Sequence, residues 1–255
     1  MATSTVAGQA GAGMTLLVLM FHRAQAGRYG NSVQSLEAHF AHLARACNCV
    51  LPGDPLDRRR LNVCLSFDDA YYDFFAFVPP LLEKHDLRAL LAVPTGMIQE
   101  RTAASHGARL ALSVGDTAAH PEGGGLCTWP ELESLAATGR VAFAAHGRSH
   151  VRLDEDGVDL QREVVVPRLE LEQRLRLPVE SFVYPFGRFN RTVHALARQS
   201  YRYVFRIGAA SNASWEATLL YRVDGDRMAS PTVLLSPLRR LRYRWNAGWN
   251  RLRGV

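Results

Sequence analysis

Leu61-Asn62-Val63-Cys64-Leu65-Ser66-Phe67-Asp68-Asp69 governs the reading of this chain. Apolar residues run almost unbroken from Leu61 to Phe67, the pattern of a strand buried on both faces, and the run ends in two adjacent carboxylates. The arrangement recurs outward from this stretch. Thr15 to Phe21 reads as a buried strand ending at His22, and Arg140 to Ala145 as one ending at His146. Ser181 to Tyr184 reads as a strand running into Pro185-Phe186-Gly187. Chemically capable groups therefore collect at the C-terminal ends of several strands, the end on which parallel barrels build their active sites.

Between these strands the spacing changes to that of helices. Ser32 to Ala46 carries Leu36, Phe40 and Leu43 on one face. Tyr71 to His85 reads as helical, with Pro79-Pro80 expected to interrupt or restart it. Arg88 to Val93 is a further strand, stopped by Pro94-Thr95-Gly96. Trp129 to Thr138 starts with Thr128 as N-cap, Pro130 in the first turn and Glu131 close behind. Asp159 to Arg176, with Pro167 inside it, and Asn190 to Ser200 also read as helices, and Tyr203 to Ile207 and Leu219 to Val223 as strands. Residues 99–128, rich in Ala, Gly, Ser and Thr and containing Gly123-Gly124-Gly125, read as a long loop or insertion of the kind that often lies over an active site. The alternation of strand and helix indicates an α/β domain with a parallel sheet or barrel.

Composition sets the outer bounds. The chain has 255 residues and is 47% hydrophobic, enough for one large globular domain. We divide it into a flexible stretch at 1–13, a domain at 14–235 and a basic tail at 236–255. The net charge is +6, and Arg239, Arg240, Arg242, Arg244, Arg251 and Arg253 lie together with no acidic residue among them. The basicity thus describes a tail and no nucleic-acid-binding face is expected. Cys47, Cys49, Cys64 and Cys127 read as free thiols, which favours a reducing compartment. The N-terminus lacks a positively charged leader, and Leu16 to Phe21 is too short to span a membrane. A cytoplasmic protein is expected.

His146 and His150, four apart in Phe143-Ala144-Ala145-His146-Gly147-Arg148-Ser149-His150, join the acidic pair as the candidate centre. Two imidazoles and a carboxylate can hold one divalent metal and leave an open side for water. A second carboxylate can take a proton from that water. An Asp pair alone is often only a helix cap, and His39 and His42, with only Glu37 nearby, read as surface residues. In combination the motifs point to a metal-dependent hydrolase.

Four motifs, taken in order, resemble the polysaccharide deacetylase family, also called NodB-homology or carbohydrate esterase family 4. They are Leu65-Ser66-Phe67-Asp68-Asp69-Ala70-Tyr71, Thr128-Trp129-Pro130-Glu131-Leu132, His146-Gly147-Arg148-Ser149-His150 and Tyr184-Pro185-Phe186-Gly187-Arg188-Phe189-Asn190. The resemblance covers roughly residues 15 to 225 and implies a distorted (β/α)7 barrel. It implies Asp68 as catalytic base, and Asp69, His146 and His150 as ligands of a divalent metal, zinc first, with cobalt, nickel or iron as alternatives. Tyr184, Pro185 and Phe186 would line the substrate and oxyanion site, with a backbone N–H near Phe186 as oxyanion donor.

Two features depart from the usual pattern. No histidine follows His194, so the family's C-terminal general-acid histidine is absent. Leu19-Met20-Phe21-His22-Arg23 resembles a circularly permuted subgroup, acting on poly-N-acetylglucosamine-type polymers, that supplies this histidine from the first strand, and it makes His22 the candidate acid. Val183 stands where many members have an arginine that orients the base, and Arg222 is the candidate replacement.

The expected reaction is removal of acetyl from an N-acetylated sugar, in a cell-envelope glycan or a lipid- or nucleotide-linked precursor. An amide hydrolase on a non-sugar substrate and a non-catalytic carbohydrate-binding relic are the competing readings. Within the tail, Leu238, Leu241, Trp245, Trp249 and Leu252 recur at helical spacing among arginines. That pattern suits peripheral contact through 238–252 with an anionic membrane surface, here the inner leaflet.

Overall fold

The computed structural model describes residues 15–252 except 229 and 231. Among these the apolar runs form eight strands: β1 (Leu16–Phe21), β2 (Asn48–Cys49), β3 (Asn62–Phe67), β4 (Ala89–Val93), β5 (Val141–Ala145), β6 (Ser181–Val183), β7 (Tyr203–Ile207) and β8 (Leu220–Asp224). β1 pairs in parallel with β3, from Leu16 beside Asn62 to Phe21 beside Phe67, and with β8, where Val18 lies beside Arg222. This seam closes β1-β8-β7-β6-β5-β4-β3 into a seven-stranded parallel barrel, and the two-residue β2 is appended to β3. The ring is thinnest between β5 and β6, where Ala144 pairs with Ser181 and Ala145 with Phe182. The distorted (β/α)7 barrel expected from the motifs is the fold.

Side chains alternate across a strand, so each strand feeds two apolar layers. Leu16, Val18, Cys64, Leu90, Ala92, Ala144, Val183, Phe205 and Leu220 form one buried cluster. Leu17, Leu19, Phe21, Val63, Leu65, Phe67, Leu91 and Val93 belong to a second, which includes helix residues such as Phe40, Phe74 and Leu132. The first set fills the barrel and the second meets the surrounding helices. Continuing the interior register upward gives Met20 and His22 on β1, Ser66 and Asp68 on β3, His146 past β5 and Arg222 on β8. The same alternation that fills the cylinder thus delivers the polar groups to its C-terminal mouth.

The helices are α1 (Val33–Ala46), α2 (Tyr72–Lys84), α3 (His106–Ala111), α4 (Val114–Ala119), α5 (Trp129–Ala137), α6 (Val166–Leu175), α7 (Arg191–Ser200) and α8 (Pro237–Leu252). Pro79 and Pro80 do not break α2. They fall on its outer side, half-buried and exposed, where water can serve the carbonyls they leave without a donor, while Phe74, Val78 and Leu82 bury the inner side.

Residues 99–128 are not simply a loop. Ser105 and Ser113 cap two six-residue helices, α3 and α4, with side-chain oxygens accepting from Ala108 and Asp116 N–H. Arg109 ties this segment down. Its guanidinium donates to the Gly124 and Leu126 carbonyls and to both oxygens of Glu131, and lies 3.5 Å from the Tyr72 ring centroid.

His39 is buried rather than on the surface, because it shares the inner face of α1 with Leu36, Phe40 and Leu43. Its Nε2 lies 3.3 Å from Ser35 Oγ, and burial lowers its pKa to about 4. The span from Asp159 begins with a π-helical turn, Gln161–Val165, before α6. No helix joins β7 to β8 among the described residues, and α8 packs Ala247 against Ala210 and Tyr221 on that side. The flexible segment expected at 1–13 lies outside the described residues.

Candidate metal and catalytic site

Consecutive side chains of an extended strand point to opposite faces, so Asp68 and Asp69 could not both serve one pocket if β3 simply continued. The chain turns sharply instead: Asp69 and Ala70 adopt left-handed backbone conformations, with φ of 70° and 54°. Such conformations are disfavoured for residues with a Cβ and persist only where the surroundings hold them. Here Asp68 N–H donates to the Phe21 carbonyl, and the Ala70 carbonyl accepts from Cys127 N–H, both at 2.8 Å.

Asp69, His146 and His150 come together as the sequence predicts. Asp69 Oδ1 lies 3.4 Å from His146 Nε2 and 3.1 Å from His150 Nε2, and it is a buried oxygen without a hydrogen-bond partner among the described residues. Ligand atoms about 2.0–2.2 Å from a common tetrahedral ion lie roughly 3.3–3.6 Å from one another, so the cluster fits a divalent metal. The Val183 carbonyl fixes the His146 ring, and a held turn positions His150. His146 Nδ1 is 2.8 Å from the Val183 carbonyl, which makes Nδ1 the protonated nitrogen and leaves the Nε2 lone pair toward Asp69. His150 has φ 50°, and the loop before it is held by Glu163, whose Oε2 accepts the Arg148 and Ser149 N–H groups at 2.8 Å each. Gly147 between them has φ 71°, and a Cβ there would come within 3.2 Å of Pro185 Cγ and 3.3 Å of Glu163 Oε2. Burial works against the Asp69 carboxylate, yet the two imidazoles beside it hold it well below the usual range. Burial likewise opposes charge on His150, and Asp69 raises its pKa.

Asp68 is held differently, by charge. Arg222 Nη1 donates to Asp68 Oδ1 at 2.6 Å and to Ser66 Oγ at 3.2 Å. Arg222 is only 1% exposed and Asp68 3%. Burial raises the Asp68 pKa, but Arg222, His146 and His22 together outweigh it and keep the carboxyl below its ordinary value. Val183, at the position of the usual arginine, is an apolar barrel residue. The arginine beside the base comes from β8 instead.

His22 Nε2 faces Asp68 Oδ2 at 3.9 Å, and its Nδ1 lies 2.7 Å from Asp226 Oδ2. Burial disfavours charge on His22, but Asp226, then Asp68 and Asp69, overcome it and raise the pKa to about 9. Burial also pushes Asp226 up, against the pull of the ring. The carboxylates on either side of His22 place the proton on the imidazole at neutral pH.

These groups share a cavity of about 570 Å³. Val114, Thr117 and Leu126, from the segment that Arg109 ties down, form part of its wall. Phe186, 54% exposed, lies on the cavity with its ring 4.6 Å from that of His150, and Tyr29, 40% exposed, lies 6.1 Å from His22. Phe186 itself is left-handed, with φ 56°. Tyr184 reaches the cavity wall but is otherwise buried, its hydroxyl 2.9 Å from His194 Nδ1 and its ring stacked on Phe189. Pro185 is buried beneath Gly147.

The sequence reading missed Asp226 and Glu163. Asp226 follows β8 by two residues, the same strand-end position that marked the other groups, so the signal was present. Glu163 sits in the π-helical turn, where nothing in the spacing distinguishes it from a solvated helix residue.

Residues 57–204 match the family described as polysaccharide deacetylase. No curated protein matches the chain. Among solved structures, a polysaccharide deacetylase from Bacillus cereus is similar at TM-score 0.71 and 14% identity, over 88% of this chain and 69% of that one. IcaB from Ammonifex degensii is similar at TM-score 0.68 and 19% identity, over 89% of this chain and 98% of its own. The Streptococcus pyogenes deacetylase PplD, in complex with acetate, is similar at TM-score 0.69 and 18% identity, over 88% and 98%. At these identities the likeness speaks for the fold.

Proposed function

We propose that this chain, which belongs to the polysaccharide deacetylase family, is a metal-dependent hydrolase that removes acetyl from an N-acetylated sugar of a cell-envelope glycan or of its lipid- or nucleotide-linked precursor. The observation that carries the reading is the convergence in one cavity of a metal-type triad, Asp69, His146 and His150, with Asp68 beside Arg222 and His22 beside Asp226. The exposed rings of Tyr29 and Phe186 on that cavity suit the apolar faces of a sugar.

Asp69, His146 and His150 would hold the ion, and their donor set suits zinc, with cobalt, nickel or iron as alternatives. When bound, such an ion supplies Lewis acidity toward the acetamide carbonyl and lowers the pKa of water toward about 7. Asp68, kept ionised beside Arg222, accepts the proton of the attacking water. The backbone of Phe186 is the candidate donor to the oxygen that gains charge, an interaction worth about 2.7–4 kcal/mol. As the C–N bond breaks, His22 gives its proton to the departing nitrogen, so the amine does not leave as an anion. Asp226 positions the ring for that transfer. Acetate and a free amino sugar are the products.

The described residues include four free cysteines, which supports a reducing, cytoplasmic setting. The test is acetate release by metal-replete protein from N-acetyl sugars, nucleotide sugars and lipid-linked sugars, with metal content measured in parallel. Metal-dependent release from at least one class is expected. No release from any of them by fully loaded protein would overturn the reading.

A further inference from the structure

α8 presents two unlike sides. On the inner side Tyr243 and Ala247 are buried, the Tyr243 carbonyl accepts from Ser211 N–H, and the side-chain amides of Asn246 and Asn250 donate to the Ala209 and Gly208 carbonyls. On the outer side Leu238 and Leu252 are each 83% exposed, Trp245 75%, Trp249 56% and Leu241 53%. At about 100° per residue these five fall within an arc of roughly 80°, centred about 150° from the inner side. Arg242 and Arg244 fall on opposite flanks of that arc. No acidic residue follows Asp226 in the sequence.

No other element of the described surface carries as many exposed large apolar residues. Five of the eleven large exposed apolar residues lie within this one helix. A nucleic acid would call for arginines at the centre of the outward face, where leucine and tryptophan stand. A second copy of the same helix would bring two arginine-flanked stripes together and set like charges against each other. An anionic lipid surface satisfies both parts of the pattern: apolar side chains enter the headgroup–acyl boundary while the flanking guanidinium groups meet lipid phosphates. No helix among the described residues is long and apolar enough to cross a membrane, so contact would be in the plane of the interface.

We propose that α8 docks the protein on an anionic bilayer, with Leu238, Leu241, Trp245, Trp249 and Leu252 inserted and the arginines beside them on the headgroups. The docked helix is tied to the catalytic cavity. Asn250 holds the Gly208 carbonyl, and Ile207, the residue before it, lines that cavity.

The test is flotation of the full chain with vesicles of phosphatidylcholine alone or with about one-third phosphatidylglycerol. The wild-type chain is expected to float with the anionic vesicles at least tenfold better than with the neutral ones. Leu241→Glu/Trp245→Glu should lose that binding about tenfold or more, and Arg242→Gln/Arg244→Gln should lose part of it and become less salt-sensitive. Far-UV circular dichroism and the melting temperature of each variant should match wild type, since these side chains point away from the barrel. Failure to float with anionic vesicles, or flotation unchanged in Leu241→Glu/Trp245→Glu, overturns the proposal. So does binding to nucleic acid or a self-association that the same variants abolish while vesicle binding stays absent.

Discussion

The two halves of the site are held by different forces. Asp69, His146 and His150 are fixed largely by backbone: left-handed turns at Asp69 and His150, the Val183 carbonyl on His146, and two N–H groups clamped by Glu163. Asp68 and His22 are fixed by charge: Arg222 on the base and Asp226 on the acid. The difference follows from what each half must do. Metal ligands need fixed directions, which backbone turns and the hydrogen bonds that hold them supply. Proton-transfer groups need fixed protonation states, which neighbouring charges set here against burial.

The comparison makes separable predictions. The largest effect is expected from Asp69→Ala, which removes the sole carboxylate of the triad. Elemental analysis should find most of the metal lost, and acetate release should fall to background. Asp68→Asn should lower release by about 10²–10⁴ while metal content stays that of wild type. If metal is lost with it, the two halves are not independent. Asp226→Asn should cut turnover by roughly tenfold or less and reshape its pH profile. His22 is raised to about 9, so its acid form is present below that pH and lost as pH rises through it. Without Asp226 the alkaline limb should therefore move to lower pH, with metal affinity unchanged. The smallest effect on turnover is expected from Glu163→Gln, which keeps an acceptor for the loop but loses its charge. Metal affinity should weaken by about tenfold, and saturating metal should restore the rate.

Much of this was legible in the sequence because strands buried on both faces carry unbroken apolar runs. The polar residues at the ends of those runs, His22, Asp68, Asp69 and His146, then mark the mouth. Arg222 could be singled out because Val183 left a charge unaccounted for near the base. What escaped was local or long-range in origin. β2 has only two residues, too few for periodicity. α3 and α4 are six-residue helices in an Ala- and Gly-rich segment, stabilised by serine caps and by contacts of Arg109 with groups up to 37 residues away. The pairing of Asp226 with His22 spans 204 residues and exists only once the barrel has closed.

That closure has a consequence for assembly. The triad stands on β3 and β5, neighbours but one in an uninterrupted run of strands, whereas His22 hangs from β1, and Arg222 and Asp226 come from β8 and the turn after it. The join between first and last strands is where the proton donor and its supports meet. A chain zipped from β3 through β6 would already bring Asp69, His146, His150, the Val183 carbonyl and Glu163 together, yet would lack the proton donor and its supports and stay inert. Uptake of metal would therefore report partial assembly, and turnover would report the finished cylinder.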